Sequence, residues 1–218
     1  MTNRNGRSAL EGNGVGLVRE RALAMTVQKA LERLYQIEGV PHVDAFLRAA
    51  EHGEREALFV REAEDGTLEM SLRVPMLARR AFEVEDGDLD PLCQLIEGVS
   101  HFVYLAERAK SDREATQLEM EMQAEVDKYV VLAASLDELS VQRSGVLRAR
   151  LYERVTFEHV EGSELGDRYR IANDTAAKFV RRLEREFVQA RRFPELRTEL
   201  RRFFRMGQEE KLRVVRAA

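Results

Sequence analysis

DPLCQLIEGVSHFVYLAERAK (residues 90–110), followed directly by SDREATQLEMEMQAEVDKYVVLAA (residues 111–134), is the stretch that decides the fold. Asp90-Pro91 is a helix start, with Asp at the N-cap and Pro at the first helical position. Behind it Leu92, Leu95, Ile96, Val99, Phe102, Val103 and Ala106 recur at spacings of three and four, and Tyr104 and Leu105 add apolar surface on other sides. A helix apolar nearly all round is a central, buried one. Ser111 and Glu114 have the spacing of a capping box. A second helix then runs to Ala134 with Leu118, Met122, Val126, Tyr129 and Ala133 on one stripe. The short junction predicts an antiparallel helical hairpin at the centre of the molecule.

Helical periodicity flanks this hairpin. Leu23, Val27, Leu31 and Leu34 predict a helix from Leu17 to Ile37, ended by Gly39 and Pro41. A short helix is expected over Val43–Ala50. On the far side, Leu165, Tyr169, Ala172, Ala176, Phe179 and Leu183 predict a long helix from Ser163, broken at Pro194. Two short helices follow, Glu195–Arg205 and Gln208–Val215, separated by Gly207. Residues 141–161 fit helix or strand, with Tyr152, Val155, Thr156, Phe157 and Val160 leaning to strand.

The β signal lies between residues 57 and 85. Asp65-Gly66 separates two alternating runs. Placing these two residues at the centre of a type I′ turn pairs Ala63 with Leu68, Arg61 with Met70, Phe59 with Leu72 and Ala57 with Val74. Ala81–Glu85 is the expected third strand. The prediction is an α+β fold, predominantly α: a central antiparallel helical hairpin packed by N- and C-terminal helices, with a small antiparallel β-hairpin or three-stranded sheet. Residues 1–16, rich in Gly and Asn, read as a flexible leader. Residues 17–218 read as a single globular domain, with a subdivision near residue 140 as the alternative.

Composition narrows the function classes. Of 218 residues 44% are hydrophobic and 34% charged, which suits a folded chain with solvated helix faces rather than disorder. Cys93 is the single cysteine, so no internal disulfide can form. No secretory signal and no membrane-spanning run is read at the sequence level, so no membrane partner is expected and the cytoplasm is the expected location. Thirty Arg against five Lys suggests a GC-rich bacterial genome. The net charge of −4 divides into −11 over residues 1–140 (16 basic, 27 acidic) and +7 over residues 141–218 (19 basic, 12 acidic). That asymmetry allows internal attraction, head-to-tail self-association, or a polyanionic partner.

Several constellations could carry chemistry. Glu97 and His101 are four residues apart and share a helix face with Tyr104 nearby; Glu121 and Glu125 repeat the spacing on the next helix. Glu97, His101, Glu121 and Glu125 are the candidate metal ligands. Ferritin-like di-metal sites use Glu-x-x-His pairs from two helices. Here the spacing is Glu-x-x-x-His and no second such motif exists on another helix. Cys93 lies in the first turn of its helix, eight residues from His101. That is about 12 Å along a helix, too far for a catalytic pair on one element. Gly12-Asn13-Gly14-Val15-Gly16 is glycine-rich but lacks the Lys-Ser/Thr of a phosphate loop and follows no predicted strand. The acidic run Glu83, Glu85, Asp86, Asp88 and Asp90 approaches a calcium-loop spacing, but Pro91 stands where that loop needs glycine.

The C-terminal quarter interleaves Arg191, Arg192, Arg201, Arg202 and Arg205 with Phe193, Phe203 and Phe204, an arrangement for phosphates or a partner protein. Met120 and Met122 with Phe203 and Phe204 could form an adaptable contact surface. With no catalytic motif and no cofactor expected, the sequence reads first as a non-enzymatic interaction or regulatory protein acting through helical surfaces, by a protein partner or self-association. Nucleic-acid binding through the arginine-rich helices and a metal-binding helical protein are the alternatives.

Overall fold

The computed structural model describes residues 17–63, 67–77 and 89–216. The leader and its glycines, the Asp65-Gly66 turn, the Ala81–Glu85 strand and Glu83, Glu85, Asp86 and Asp88 of the acidic run lie outside those residues. The chain is mainly helical with a small sheet, as the periodicities predict.

Helix α1 (Val18–Tyr35) buries Ala24, Val27, Leu31 and Tyr35 and ends where Gln36 adopts a left-handed conformation. Residues 43–50 are not the expected helix. Only Val43–Ala45 forms a 3-10 turn, and strand β1 (Leu47–Ala49) follows. Strands β2 (Ala57–Glu62) and β3 (Leu68–Val74) complete a sheet of order β1-β3-β2, with β1 parallel and β2 antiparallel to β3. Among the described residues the third strand is β1, which comes before the hairpin, and the sheet is mixed.

The hairpin register also differs from the expected one. Leu58 faces Leu72, Val60 faces Met70 and Arg61 faces Glu69, one residue displaced from the type I′ prediction. The Ala63 N–H donates to the Thr67 carbonyl at 2.8 Å, so three residues rather than two separate the closing pair. A one-residue slip exchanges the faces of a strand. Leu58 accordingly joins buried Leu72 and Val74, while Phe59 turns outward and lies under the Arg73 guanidinium at 4.8 Å. Leu72 packs at Gly98 so closely that a Cβ there would lie 2.7 Å from the Leu72 Cδ1.

Helices α2 (Asp90–Lys110) and α3 (Gln117–Ala134) form the predicted antiparallel pair, with Tyr104 meeting Glu119, Ser100 meeting Asp127, and Glu97 meeting Lys128. Leu95, Ile96, Val99 and Phe102 are fully buried. The α3 cap is not Ser111: N–H groups of residues 111–113 turn back to the carbonyls of Arg108 and Ala109 to close α2. Thr116 is the N-cap, and its hydroxyl accepts from the Glu119 N–H at 3.1 Å.

The ambiguous segment is helical over residues 141–153 and irregular over 154–161, with no strand. Helix α4 (Val141–Arg148), capped by Ser140, continues through one π turn, Ala149–Glu153, which buries Leu151 and Tyr152. Burial of this pair overrides the strand propensity of the residues around it. Helix α5 (Glu164–Leu183), capped by Ser163, packs on α3 and ends in a second π turn, Glu184–Val188. Helices α6 (Phe193–Arg205) and α7 (Gln208–Arg216) close the chain, with Pro194 in the first turn of α6.

Phe203 stacks on Phe179 at 4.2 Å and Phe204 on Tyr35 at 4.1 Å, and Met122 is fully buried. The expected surface of Met120, Met122, Phe203 and Phe204 is therefore core, with Met120 partly buried against it. Lys211 pins α7: its ammonium, wholly buried, donates to Gln123 Oε1 at 2.7 Å and sits over the rings of Tyr104 and Phe203. No helix among the described residues is long and apolar enough to cross a membrane.

Candidate metal centre

The hairpin carries a charged stripe on the side away from its apolar seam. On α2, Cys93, Glu97 and His101 follow one another at intervals of four; on α3, Glu121, Glu125 and Lys128 stand opposite. Antiparallel packing brings the two rows together, and β2 supplies a roof. Glu56, just before that strand, is held by its N–H donating to Gln94 Oε1 at 3.1 Å. Its side chain reaches down over α2 beside Gly98, where a Cβ would lie 2.9 Å from Glu56 Oε2. Glycine at this position is what lets the sheet and the carboxylate approach the helix.

Six ionisable side chains meet there, each only 9–13% exposed: Glu56, Glu97, His101, Glu121, Glu125 and Lys128. One donor atom from each of Glu97, His101 and Glu121 lies within 4.8 Å of the other two. His101 Nδ1 faces Glu56 Oε1 at 3.8 Å, and Nε2 faces Glu121 Oε2 at 3.5 Å. The second distance is beyond a good hydrogen bond, and the Nε2 atom is buried without a hydrogen-bond partner, as are Glu56 Oε2 and Glu125 Oε2. Glu125 is drawn aside, since Lys128 Nζ lies 2.7 Å from its Oε1 and 3.1 Å from Glu97 Oε2. Of the four ligands predicted from sequence, three converge and the fourth holds a lysine.

Burial and charge together set the protonation states. Burial pushes the Glu56 carboxyl up to about 7, with His101 drawing it back and Glu97 and Glu121 adding to the rise. Burial would lower His101, but Glu121, Glu56 and Glu97 outweigh it and hold the imidazole up at about 9. Burial raises Glu125, and Lys128 opposes the rise. For Glu97 the attraction of Lys128 and His101 exceeds the effect of burial, and its carboxyl falls below the ordinary range. Burial would lower Lys128 too, but Glu125 and Glu97 hold it firmly protonated. With all four carboxylates ionised, the count is −4 from Glu56, Glu97, Glu121 and Glu125 and +2 from His101 and Lys128, net −2 in a site almost free of water contact.

The site opens into a cleft of about 820 Å³. Cys93, Glu97, Glu125 and Lys128 form its base, and Arg154, Phe157 and Tyr169 stand among its walls. The π turn after α4 shapes one wall and sends the Tyr152 hydroxyl to donate to the Glu125 carbonyl at 2.8 Å. Cys93 is no nucleophile here, because burial, despite Lys128, pushes its thiol up to about 12. Asp90, from the acidic run, faces Arg55 and Gln94 at the rim.

Sequence reasoning missed Glu56 and Lys128. Lys128 was readable as the residue seven beyond Glu121 on the same face. Glu56 had no local signal, because the sheet packing on Gly98 delivers it.

Four of the five arginines singled out at the C-terminus are engaged with other groups of the chain. Arg191 pairs with Glu138 at 3.0 Å, Arg192 with Glu195 at 3.0 Å and Arg202 with Glu199 at 3.7 Å. Arg201 Nε donates to the Leu34 carbonyl at 2.6 Å, tying α6 to α1, and Arg205 is exposed. The chain matches no known family model, no curated protein and no solved structure.

Proposed function

We propose that this is a metal-binding helical protein that holds one divalent first-row ion, such as Mn²⁺, Fe²⁺ or Zn²⁺, through Glu97, His101 and Glu121. The observation that carries the reading is His101. Its Nε2 is buried, without a hydrogen bond, and faces Glu121 Oε2 at 3.5 Å inside a cluster of four carboxyl groups against one imidazole and one ammonium. A buried cluster with excess like charge is costly unless a counter-charge joins it. The orientation also fits metal chemistry. A ligating imidazole usually gives its other N–H to a carboxylate, and Glu56 stands at Nδ1. A ligand set of carboxylates with one imidazole suits these ions. Metal–donor distances of about 2.1 Å place tetrahedral ligands about 3.4 Å apart; His101 Nε2 and Glu121 Oε2 are at 3.5 Å, and the three donors, within 4.8 Å of one another, draw in around the ion. Glu56 and Glu97 line the cleft, with His101 and Glu121 outside its lining, so Glu97 is the ligand that faces the opening.

Equilibrium dialysis against Mn²⁺ and Zn²⁺, followed by elemental analysis, tests the proposal. One ion per chain is expected, lost in His101→Gln and Glu121→Gln with unchanged circular dichroism. Binding that survives both substitutions, or no binding by the wild type, overturns it.

A second reading, self-association, has one observation in its favour. Among the described residues β2 is an edge strand whose Phe59 and Val60 are about half exposed, and such edges pair with other strands. Sedimentation velocity of the wild type and Phe59→Lys tests it; a wild-type monomer at high concentration removes it.

A further inference from the structure

Beside the three converging ligands is a second cation position, and Lys128 fills it. This step rests on the metal reading above. Glu97 faces both positions. Its Oε2 lies 3.1 Å from Lys128 Nζ, and the same side chain belongs to the group with His101 and Glu121. On the far side Glu125 completes the second position, with Oε1 2.7 Å from the ammonium and Oε2 buried without a partner. Cys93 lines the same cleft as Lys128, Glu125 and Glu97. The arrangement is two cation positions sharing a bridging carboxylate, one furnished with an imidazole and the other with a lysine.

Charge bookkeeping explains why a lysine can hold the second place. With a neutral, ligating His101, the four carboxylates, Lys128 and one divalent ion sum to −4 + 1 + 2 = −1. A second divalent ion beside Lys128 would bring the sum to +1 and force two cations against one ammonium in a buried space. Removing the lysine and admitting a second ion gives −4 + 4 = 0. Access is not the obstacle, because Cys93, Glu97, Glu125 and Lys128 all line the cleft.

We infer that Lys128 is a tethered cation occupying the second position of a two-cation site, so that the protein binds one divalent ion where its carboxylates could hold two. Lys128 is a positioning residue in this account: it orients Glu97 and excludes the second ion.

The test is metal stoichiometry by elemental analysis, with electron paramagnetic resonance of Mn²⁺-loaded protein. Wild type and Lys128→Arg are expected to bind one ion and give the spectrum of an isolated Mn²⁺. Lys128→Ala, purified in Mn²⁺ so that the ion replaces the lost charge, is expected to bind two and show exchange coupling through Glu97. Lys128→Gln keeps an N–H donor for both carboxylates, and therefore the fold, while removing the charge; it is expected to gain the second binding event at higher Mn²⁺. One ion in wild type and in both neutral variants overturns the inference while leaving the metal site standing. Two ions in wild type overturn it as well. No ion in any of the proteins removes the metal reading on which it rests.

Discussion

Glu56→Gln should make the metal-free protein more stable and the metal-loaded protein less well assembled. Glu56 is about 10% exposed, and burial raises its carboxyl from the ordinary 4.5 to about 7. Between these two values the native state holds a proton that the unfolded chain has released. Stability therefore falls as pH rises through the window and is fully reduced above it. A shift of this size corresponds to about 3 kcal/mol at most near pH 8, and to under about 1 kcal/mol near pH 5. Glutamine has the same shape and no charge, so it removes the penalty at every pH. Urea denaturation in a chelator should show Glu56→Gln gaining stability over wild type near pH 8 and little near pH 5. The same substitution takes the carboxylate from His101 Nδ1, 3.8 Å away. Losing such an orienting partner weakens metal binding by about 10–100-fold. Opposite signs in the two assays mark a group kept for binding rather than for folding. A variant destabilised near pH 8 without metal, or one with undiminished metal affinity, would refute the reasoning.

Gly98→Ala sets a helix-propensity gain of about 1 kcal/mol against overpacking of about 1–3 kcal/mol. The new Cβ would lie 2.7 Å from the Cδ1 of Leu72, which is wholly buried and has nowhere to swing. Calorimetry should show a net loss of stability, and dialysis a loss of metal affinity as Glu56 is displaced. Lys211 is pulled from 10.5 down to about 7 by burial, with Glu119 and Asp127 resisting and Arg108 assisting. The unfolded chain thus binds more protons between those values. Wild-type stability should rise against Lys211→Met from pH 7 to 9, by up to about 1.4 kcal/mol per pH unit; parallel curves would contradict this. Cys93, with its thiol at about 12, should react with iodoacetamide roughly a thousandfold more slowly in the native than in the unfolded protein at pH 8. Equal rates would show that the thiol is not buried as described.

Much of the helical architecture was legible because its signals are local. Asp90-Pro91, Ser163 and Gly207 mark helix boundaries within a residue or two, and the apolar period from Leu92 to Ala106 marks the buried helix. What the sequence misled about depends on distant partners. Residues 57–60, Ala-Leu-Phe-Val, offer an apolar side chain to either face, so the run alone does not fix the register; in the fold Leu58 joins Leu72 and Phe59 turns outward. Tyr152 belongs to a strand-like run, but its burial and its hydrogen bond to the Glu125 carbonyl hold it in a π turn. Phe203 and Phe204 suit an interface by composition alone; their spacing on α6, at stacking distance from Phe179 and Tyr35, puts them in the core. At the site the period of four located Glu97, His101, Glu121 and Glu125. It could not say that Lys128 would claim Glu125, nor that a strand would bring Glu56 to the imidazole.

The proposed binding of one divalent ion by Glu97, His101 and Glu121 can be seen directly in a crystal. Crystals grown with Mn²⁺, measured for anomalous scattering, test it most directly. The account predicts one peak bounded by Glu97, His101 and Glu121, about 2.1–2.2 Å from His101 Nε2, with Lys128 still against Glu125. No peak at saturating Mn²⁺, or a peak elsewhere with His101 Nε2 still unligated, would contradict it.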